Sequence, residues 1–298
     1  MLSPFWNVFV ITLVLVNIFA CLWLIRFANR RKKDEVAAGE ATGHVWDEDL
    51  VELNNPLPRW WLWMFYLSII FGLGYLVLYP GLGNFAGTLG WTQASQHQAE
   101  VDAARAKYGP LFESLAAREI TDLATDPKAL GVGRRLFLNN CAQCHGSDGQ
   151  GARNFPNLAD NAWLWGGSPE AIKKSIMEGR TGMMPGWSAA LGGEEGVTQV
   201  TEYVLSLSGR QHNAELAELG KPRFMLCSAC HGPAGKGNPM LGAPDLTDKA
   251  WVHGASRGLI AANVANGVGG VMPAHKEFLG EEKVHILTAY VYSLSANP

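Results

Sequence analysis

The sequence predicts an all-α protein: a hairpin of two membrane-crossing helices followed by two small helical domains in tandem. Three observations lead there. Phe5 to Ile25 (FWNVFVITLVLVNIFACLWLI) and Trp60 to Tyr79 (WWLWMFYLSIIFGLGYLVLY) carry no charge, and each is about as long as a helix needs to cross a bilayer, roughly 20 residues. From about Gly131 the chain repeats itself, which marks tandem units of one architecture. Inside each unit the apolar residues recur at helical spacing, and no alternating strand pattern is sustained.

The first span lies within residues 1–30. No Lys or Arg precedes Phe5 and no small-residue cleavage site follows Ile25, so a retained helix is expected rather than a cleaved signal peptide. Residues 31–58 form a loop; together with the adjoining span ends it carries Arg26, Arg30, Arg31, Lys32, Lys33 and Arg59. Basic loops stay in the cytoplasm, so this loop is expected inside and both termini outside. The second span occupies residues 59–80, with Trp60, Trp61, Trp63 and Tyr79, like Trp6 and Trp23 in the first, near the ends as interfacial anchors. Asn7, Thr12 and Asn17, and the Gly72-Leu73-Gly74 stretch, point to contacts with other membrane helices. Cys21 reads as a small packing residue.

Residues 81–130 read as a partly helical spacer in the outer compartment, Gly-rich at first, then SQHQAEVDAARAKYGP with a helix ended by Gly109-Pro110. The repeats fill 131–210 and 211–298. CAQCHG matches CSACHG at an offset of 86 residues; Pro156/Pro244, Trp163/Trp251 and Met184/Met272 match at 88; Tyr203/Tyr290 match at 87. EAIKKSIMEG, GLIAANVANG, VTQVTEYVLSLS and EKVHILTAYVYSLS are expected as helices. Units of about 80 residues often need a cofactor, metal or cross-link to complete their cores. The net charge of −3 gives no electrostatic footprint for nucleic acid. Each repeat carries seven basic and seven acidic side chains, so a docking patch has to come from the fold.

The chemistry sits in Cys141-Ala-Gln-Cys144-His145 and Cys227-Ser-Ala-Cys230-His231. Residues i, i+3 and i+4 share one face of a helical turn, so two thiols can make thioethers with the vinyl groups of a haem while the histidine reaches the iron. This is the c-type haem attachment signature. Three minor alternatives remain: a thioredoxin-like redox pair, which would sit beside a βαβ pattern that is not visible; a zinc site, which one cysteine pair and one histidine per unit leave incomplete; and a plain disulfide, which would not require His145 and His231 at the same offset. Each unit also has a Met-Pro pair, Met184-Pro185 and Met272-Pro273. The residue before proline is steered out of helix, which lets a thioether approach the iron from a loop. Met177, Met183 and Met240 have weaker claims because only Met184 and Met272 match across the repeat. His253 and His275 match tryptophans, Trp165 and Trp187, and are read as surface or structural residues.

With Gly133 and Phe137 before CAQCH, Gly220 and Phe224 before CSACH, the Met-Pro loops and the aromatic terminal helices, each unit resembles a class I cytochrome c domain. With the membrane hairpin and YPGLGNF, nearly the whole chain resembles the dihaem subunit family (CcoP or FixP) of cbb3-type cytochrome c oxidases, many of whose members have only one span. The resemblance implies two covalent haem c groups with His145 and His231 as proximal ligands and Met184 and Met272 completing the coordination. It also implies that the carbonyls of Pro156 and Pro244 accept from the histidines, and it leaves open whether the methionines are exchanged between the units. The implied role is electron relay, with no catalytic residues in the chain, from a cytochrome c donor to a haem-copper catalytic subunit. A monohaem cytochrome c subunit and membrane lipid are further implied partners, and the implied address is a bacterial inner membrane with the cytochrome domains in the periplasm. A dihaem subunit of another quinol or dehydrogenase complex, or a haem-based gas sensor, are the alternatives.

Overall fold

Ser3 in extended conformation and Pro4 at the first helical position start α1 (Pro4–Ala28), and Pro58 precedes α2 (Arg59–Leu78); proline suits these positions because the missing N–H is unpaired there anyway. In the computed structural model, which describes residues 1–30 and 36–296, both helices are long and apolar enough to cross a membrane. Arg31, Lys32 and Lys33 of the basic loop lie outside the described residues. Between the helices, β1 (Ala41–Trp46) pairs antiparallel with β2 (Leu50–Leu53). This small ribbon departs from the all-α expectation; it turns at Asp47 and Glu48, both at positive φ.

The loop leaving α2 is fastened to the start of α1. Leu2 N donates to Asn84 Oδ1 (2.7 Å), Asn84 Nδ2 to the Leu2 carbonyl (3.0 Å), and Asn84 N to Asn7 Oδ1 (2.6 Å). Asn7 thus serves its own chain, and Asn17 donates back to the Leu13 carbonyl. Gly72 and Gly74 face open space.

The chain divides into two compact units, Met1–Ala106 and Lys107–Pro298. Helix α3 (Gln93–Ala116) runs through Pro110; the expected stop at Gly109-Pro110 is not there, and a largely exposed helix carries the missing backbone bond and the crowding of the carbonyl one turn earlier. In the second unit, α4 (Ile120–Leu123), α5 (Pro127–Asn140) and α6 (Ala142–His145) lead into α7 (Pro169–Glu178) and β3 (Arg180–Pro185). Then come α8 (Ser188–Leu191), α9 (Glu194–Leu207), α10 (Ala214–Arg223), a 3-10 turn (Phe224–Leu226) and α11 (Ser228–His231). Helix α12 (Arg257–Asn266), β4 (Gly267–Met272), α13 (Lys276–Leu279) and α14 (Glu281–Ala296) finish the chain. The four helices expected from the repeat segments are α7, α12, α9 and α14. Matching serines, Ser168 and Ser256, cap α7 and α12.

The cores do not follow the repeat boundaries. Phe137, Ile172 and Ile176 from the first repeat pack with Leu279, Val284, Leu287, Tyr290 and Val291 from the last. The other core, Leu191, Val197, Val200, Val204, Leu205, Phe224, Ile260 and Val264, lies in one continuous stretch. The division at 131–210 and 211–298 therefore cuts both cores. Helix α9 ends only a short loop before α10 and packs on it, leaving α14 to close against α5. We call the two bodies the His145 lobe, discontinuous in sequence, and the His231 lobe, inserted within it. The spacer also joins in: Leu115, Ile120 and Leu123 pack on Ile286 and Ala289 of α14, so the His145 lobe begins well before Gly131.

Both lobes use the same helix contact. Gly133 on α5 lies so close to α14 that a Cβ there would sit 2.6 Å from Tyr290 Cβ, and Gly220 on α10 lies as close to the Gln199 carbonyl of α9. One turn on, Phe137 meets Tyr290 with ring centroids 5.4 Å apart, and Phe224 meets Tyr203 at 5.1 Å. Phe137 is fully buried. Phe137→Ala is expected to destabilise the outer unit by about 3–5 kcal/mol, measured as a fall in the denaturant midpoint.

A second antiparallel ribbon, also absent from the all-α expectation, joins the lobes. In it β3 pairs with β4, Arg180 facing Met272 and Met184 facing Val268. Its strands begin just after Gly179 and at Gly267, matched glycines at φ +72° and +82°. A Cβ on Gly267 would meet the Met184 carbonyl at 2.6 Å, and one on Gly179 would strike the Met272 carbonyl. Only glycine combines that backbone conformation with that approach.

Candidate functional site

Each CxxCH motif opens in one turn of helix, α6 or α11, directly after the helix that carries the buried phenylalanine. Backbone bonds from His145 N to the Cys141 carbonyl (2.9 Å) and from His231 N to the Cys227 carbonyl (3.0 Å) hold the turns. Cys144 and Cys230 are exposed, Cys141 and Cys227 half-buried, and none of the four is in a disulfide. Burial, with the neighbouring Cys144, pushes the Cys141 thiol up to about 11, and burial with Cys230 raises Cys227.

Both histidines are buried. His145 Nδ1 lies 3.0 Å from the Pro156 carbonyl and His231 Nδ1 3.1 Å from the Pro244 carbonyl. A carbonyl only accepts, so each Nδ1 carries the proton and donates. Burial pushes the His145 pKa down despite that bond, with nearby His275 acting in the same direction. A neutral ring with Nδ1–H engaged leaves the Nε2 lone pair free, the state a metal-ligating histidine needs. The prolines are positioned by tight Gly-rich turns: Gly151 N donates to the His145 carbonyl and Gly237 N to the His231 carbonyl, both at 2.8 Å.

The methionines cross over. Met272 packs on the His145-lobe core together with Cys141 and Ala142, while Met184 packs on the His231-lobe core together with Cys227. The backbone crosses too: His275 N donates to the Ile176 carbonyl (3.0 Å) and its match Trp187 N to the Val264 carbonyl (2.9 Å). Of the rival methionines, Met183 and Met240 point to solvent at 82% and 86% exposure, and Met177 lies among core residues. His253 lies in an inter-lobe contact, its Nδ1 3.0 Å from Asn154 Oδ1. Its match Trp165 makes the reciprocal contact on Gly242, the match of Asn154.

The sequence is recognised by two family descriptions. "N-terminal domain of cytochrome oxidase-cbb3, FixP" matches residues 38–86, and "Cytochrome C oxidase, cbb3-type, subunit III" matches residues 128–204 and 224–291. A protein of Rubrivivax gelatinosus named cbb3-type cytochrome c oxidase subunit CcoP is 50% identical over 97% of this chain and 95% of its own length. A CcoP of Azospirillum sp. (strain B510) is 38% identical over 88% and 97%, and a FixP of Sinorhizobium medicae (strain WSM419) 38% over 88% and 96%. The chain belongs to the CcoP/FixP family. Helix α1 lies before the residues that the family's N-terminal description matches.

A CcoP/FixP chain has cytochrome c domains, and these imply haem c. The residues present fit that group. Each lobe brings together two thiols, an imidazole with a free Nε2 and a thioether. Each lobe also has buried nitrogens without a protein partner among the described residues: His275 Nδ1 in one, Trp251 Nε1 and Arg210 Nε in the other. The motifs and the matched methionines were visible from spacing, and the carbonyl partners were implied by the family resemblance. The crossing of the methionines and the unpartnered Arg210 were not; the irregular offset of 86, then 88, then 87 was the one available sign of loops differing between the copies.

Proposed function

We propose that this chain is the membrane-anchored electron-relay subunit of a cbb3-type oxidase, holding two haem c groups outside the bacterial cytoplasmic membrane. Bound haem supplies the one-electron couple; the chain supplies attachment, orientation and environment. Cys141 and Cys144, and Cys227 and Cys230, make the thioethers. His145 and His231 present Nε2 while Pro156 and Pro244 fix the ring planes. Met272 serves the His145 lobe and Met184 the His231 lobe. Helices α1 and α2 form the anchoring hairpin, with the basic loop inside and the cytochrome lobes in the periplasm. The partners are a c-type cytochrome donor, a haem-copper catalytic subunit and a monohaem cytochrome c subunit.

The observation that carries this reading is the single ribbon β3–β4. Met184 and Met272 lie on it near opposite ends, Met184 packed on the His231-lobe core and Met272 on the His145-lobe core, so the two centres share one structural connection instead of sitting on independent beads. That suits transfer from one centre to the next. Purification in mild detergent tests it: a c-type absorption band, two covalent haems per chain after denaturation and a copurifying haem-copper subunit are expected. One haem per chain overturns the double site, and a complex without a haem-copper subunit overturns the oxidase assignment.

A further inference from the structure

Arg210 and Trp251 meet on the wall of the His231 lobe. Trp251 packs on the same core as Cys227 and Met184, and the Arg210 guanidinium lies over its ring, 5.7 Å from the centroid. Arg210 is held there by the turn closing α9, where Gly209 takes φ +68° and Arg210 N donates to the Leu205 carbonyl at 3.0 Å. Both side chains have a buried donor, Trp251 Nε1 and Arg210 Nε, with no acceptor among the described residues. A buried donor left unmade costs about 1–3 kcal/mol, more for a charged group.

Other arginines of the unit are served by the protein. Arg180 donates to Ser175 Oγ (2.9 Å) and stacks on Trp165; Arg223 donates to Gln199 Oε1 (2.8 Å) and the Leu191 carbonyl (2.7 Å); Arg257 pairs with buried Glu202 (2.5 Å). Glu202 is already engaged by Arg257 and Asn213 N. The chemistry missing beside Arg210 and Trp251 is therefore an acceptor-only anion, and a carboxylate satisfies a cationic and a neutral N–H together. Haem carries two carboxylates.

We propose that Arg210 and Trp251 are a carboxylate-binding pair for the haem of the His231 lobe, and that they raise its reduction potential relative to the His145 lobe. This rests on the reading that both motifs carry haem c. In the repeat alignment the tryptophan is kept, as Trp163, while the sequence position matching Arg210 is Asn297, so the charge belongs to one copy only. Oxidation of the iron adds a positive charge, and a guanidinium that neutralises a haem carboxylate opposes it. The two centres, alike in their ligands, are thereby made unequal, and the His231 lobe becomes the better electron acceptor.

The experiment is a redox titration of the detergent-purified complex with Arg210→Gln, Arg210→Lys and Trp251→Phe, after haem staining has shown both haems retained. Arg210→Gln is expected to lower one midpoint only, the one that Met184→His also moves. The expected size is on the order of tenfold in the redox equilibrium, about 59 mV for a one-electron couple. Arg210→Lys restores most of it, and Trp251→Phe shifts the resonance Raman carboxylate-bending band of that haem. Unchanged midpoints in chains retaining both haems overturn the proposal, as does an equal fall of both. Absence of covalent haem from the unaltered chain instead overturns the reading of the motifs.

Discussion

Met272→His is expected to lower the reduction potential of the haem proposed at Cys141 and Cys144, 131 residues away in sequence from the first of them, and to leave the haem proposed at Cys227 and Cys230 close to its original value. Met184→His does the reverse. Imidazole replaces a thioether that favours ferrous iron, and axial ligands move haem potentials over a range of about 0.8 V, so the change should be the largest any single substitution produces here. The crossed assignment follows from packing: Met272 lies with Cys141 and Ala142, Met184 with Cys227. The measurement is a potentiometric titration of each variant in chains that keep one attachment motif, the other having both cysteines changed to serine. A chain keeping only CAQCH that responds to Met184→His and ignores Met272→His would refute the crossing.

The second large effect concerns where the chain can be cut. A fragment of residues 184–268 contains every core residue of the His231 lobe, together with Met184, Cys227, Cys230 and His231. It is expected to fold alone, to take up one covalent haem, and to unfold cooperatively. A fragment of residues 211–298, the natural choice from the repeat, contains the motif but loses Val197, Val200, Val204 and Leu205, while its α14 keeps Leu287 and Tyr290 without Phe137. Removing whole helices from a core forfeits far more than the net stability of a small domain, about 5–15 kcal/mol. That fragment should be unfolded or degraded. Circular dichroism and haem staining of the two fragments decide the matter, and a folded haem-bearing 211–298 fragment would mean that the repeat is the folding unit after all.

Much of the site was legible because its chemistry is local. Cys141, Cys144 and His145 act within one helical turn, and Pro156 reaches back to that histidine through a short Gly-rich turn. The helices α7, α9, α12 and α14 were legible from apolar spacing, and the apolar helices α1 and α2 from composition. The ribbon was not. Neither strand is a run of strand-forming residues, since RTGMMP ends in proline and GVGGVM is half glycine, and they exist only because each finds the other. The course of α3 through Pro110 was hidden for a related reason: a local stop signal costs a backbone bond and some crowding, and an exposed helix survives it.

The sequence by itself determined where the two CxxCH motifs stand, which two methionines are matched, and where apolar helices lie, while the family resemblance implied the carbonyls that accept from the histidines. It did not determine which copy of each element packs with which. Repeated units carry nearly the same apolar faces, so α9 is as good a partner for α5 as α14 is, and local sequence cannot rank the two. The tertiary structure decides through chain connectivity: a short link makes α9 and α10 neighbours, α14 is left for α5, and the ribbon must then cross between the lobes, taking Met184 and Met272 with it.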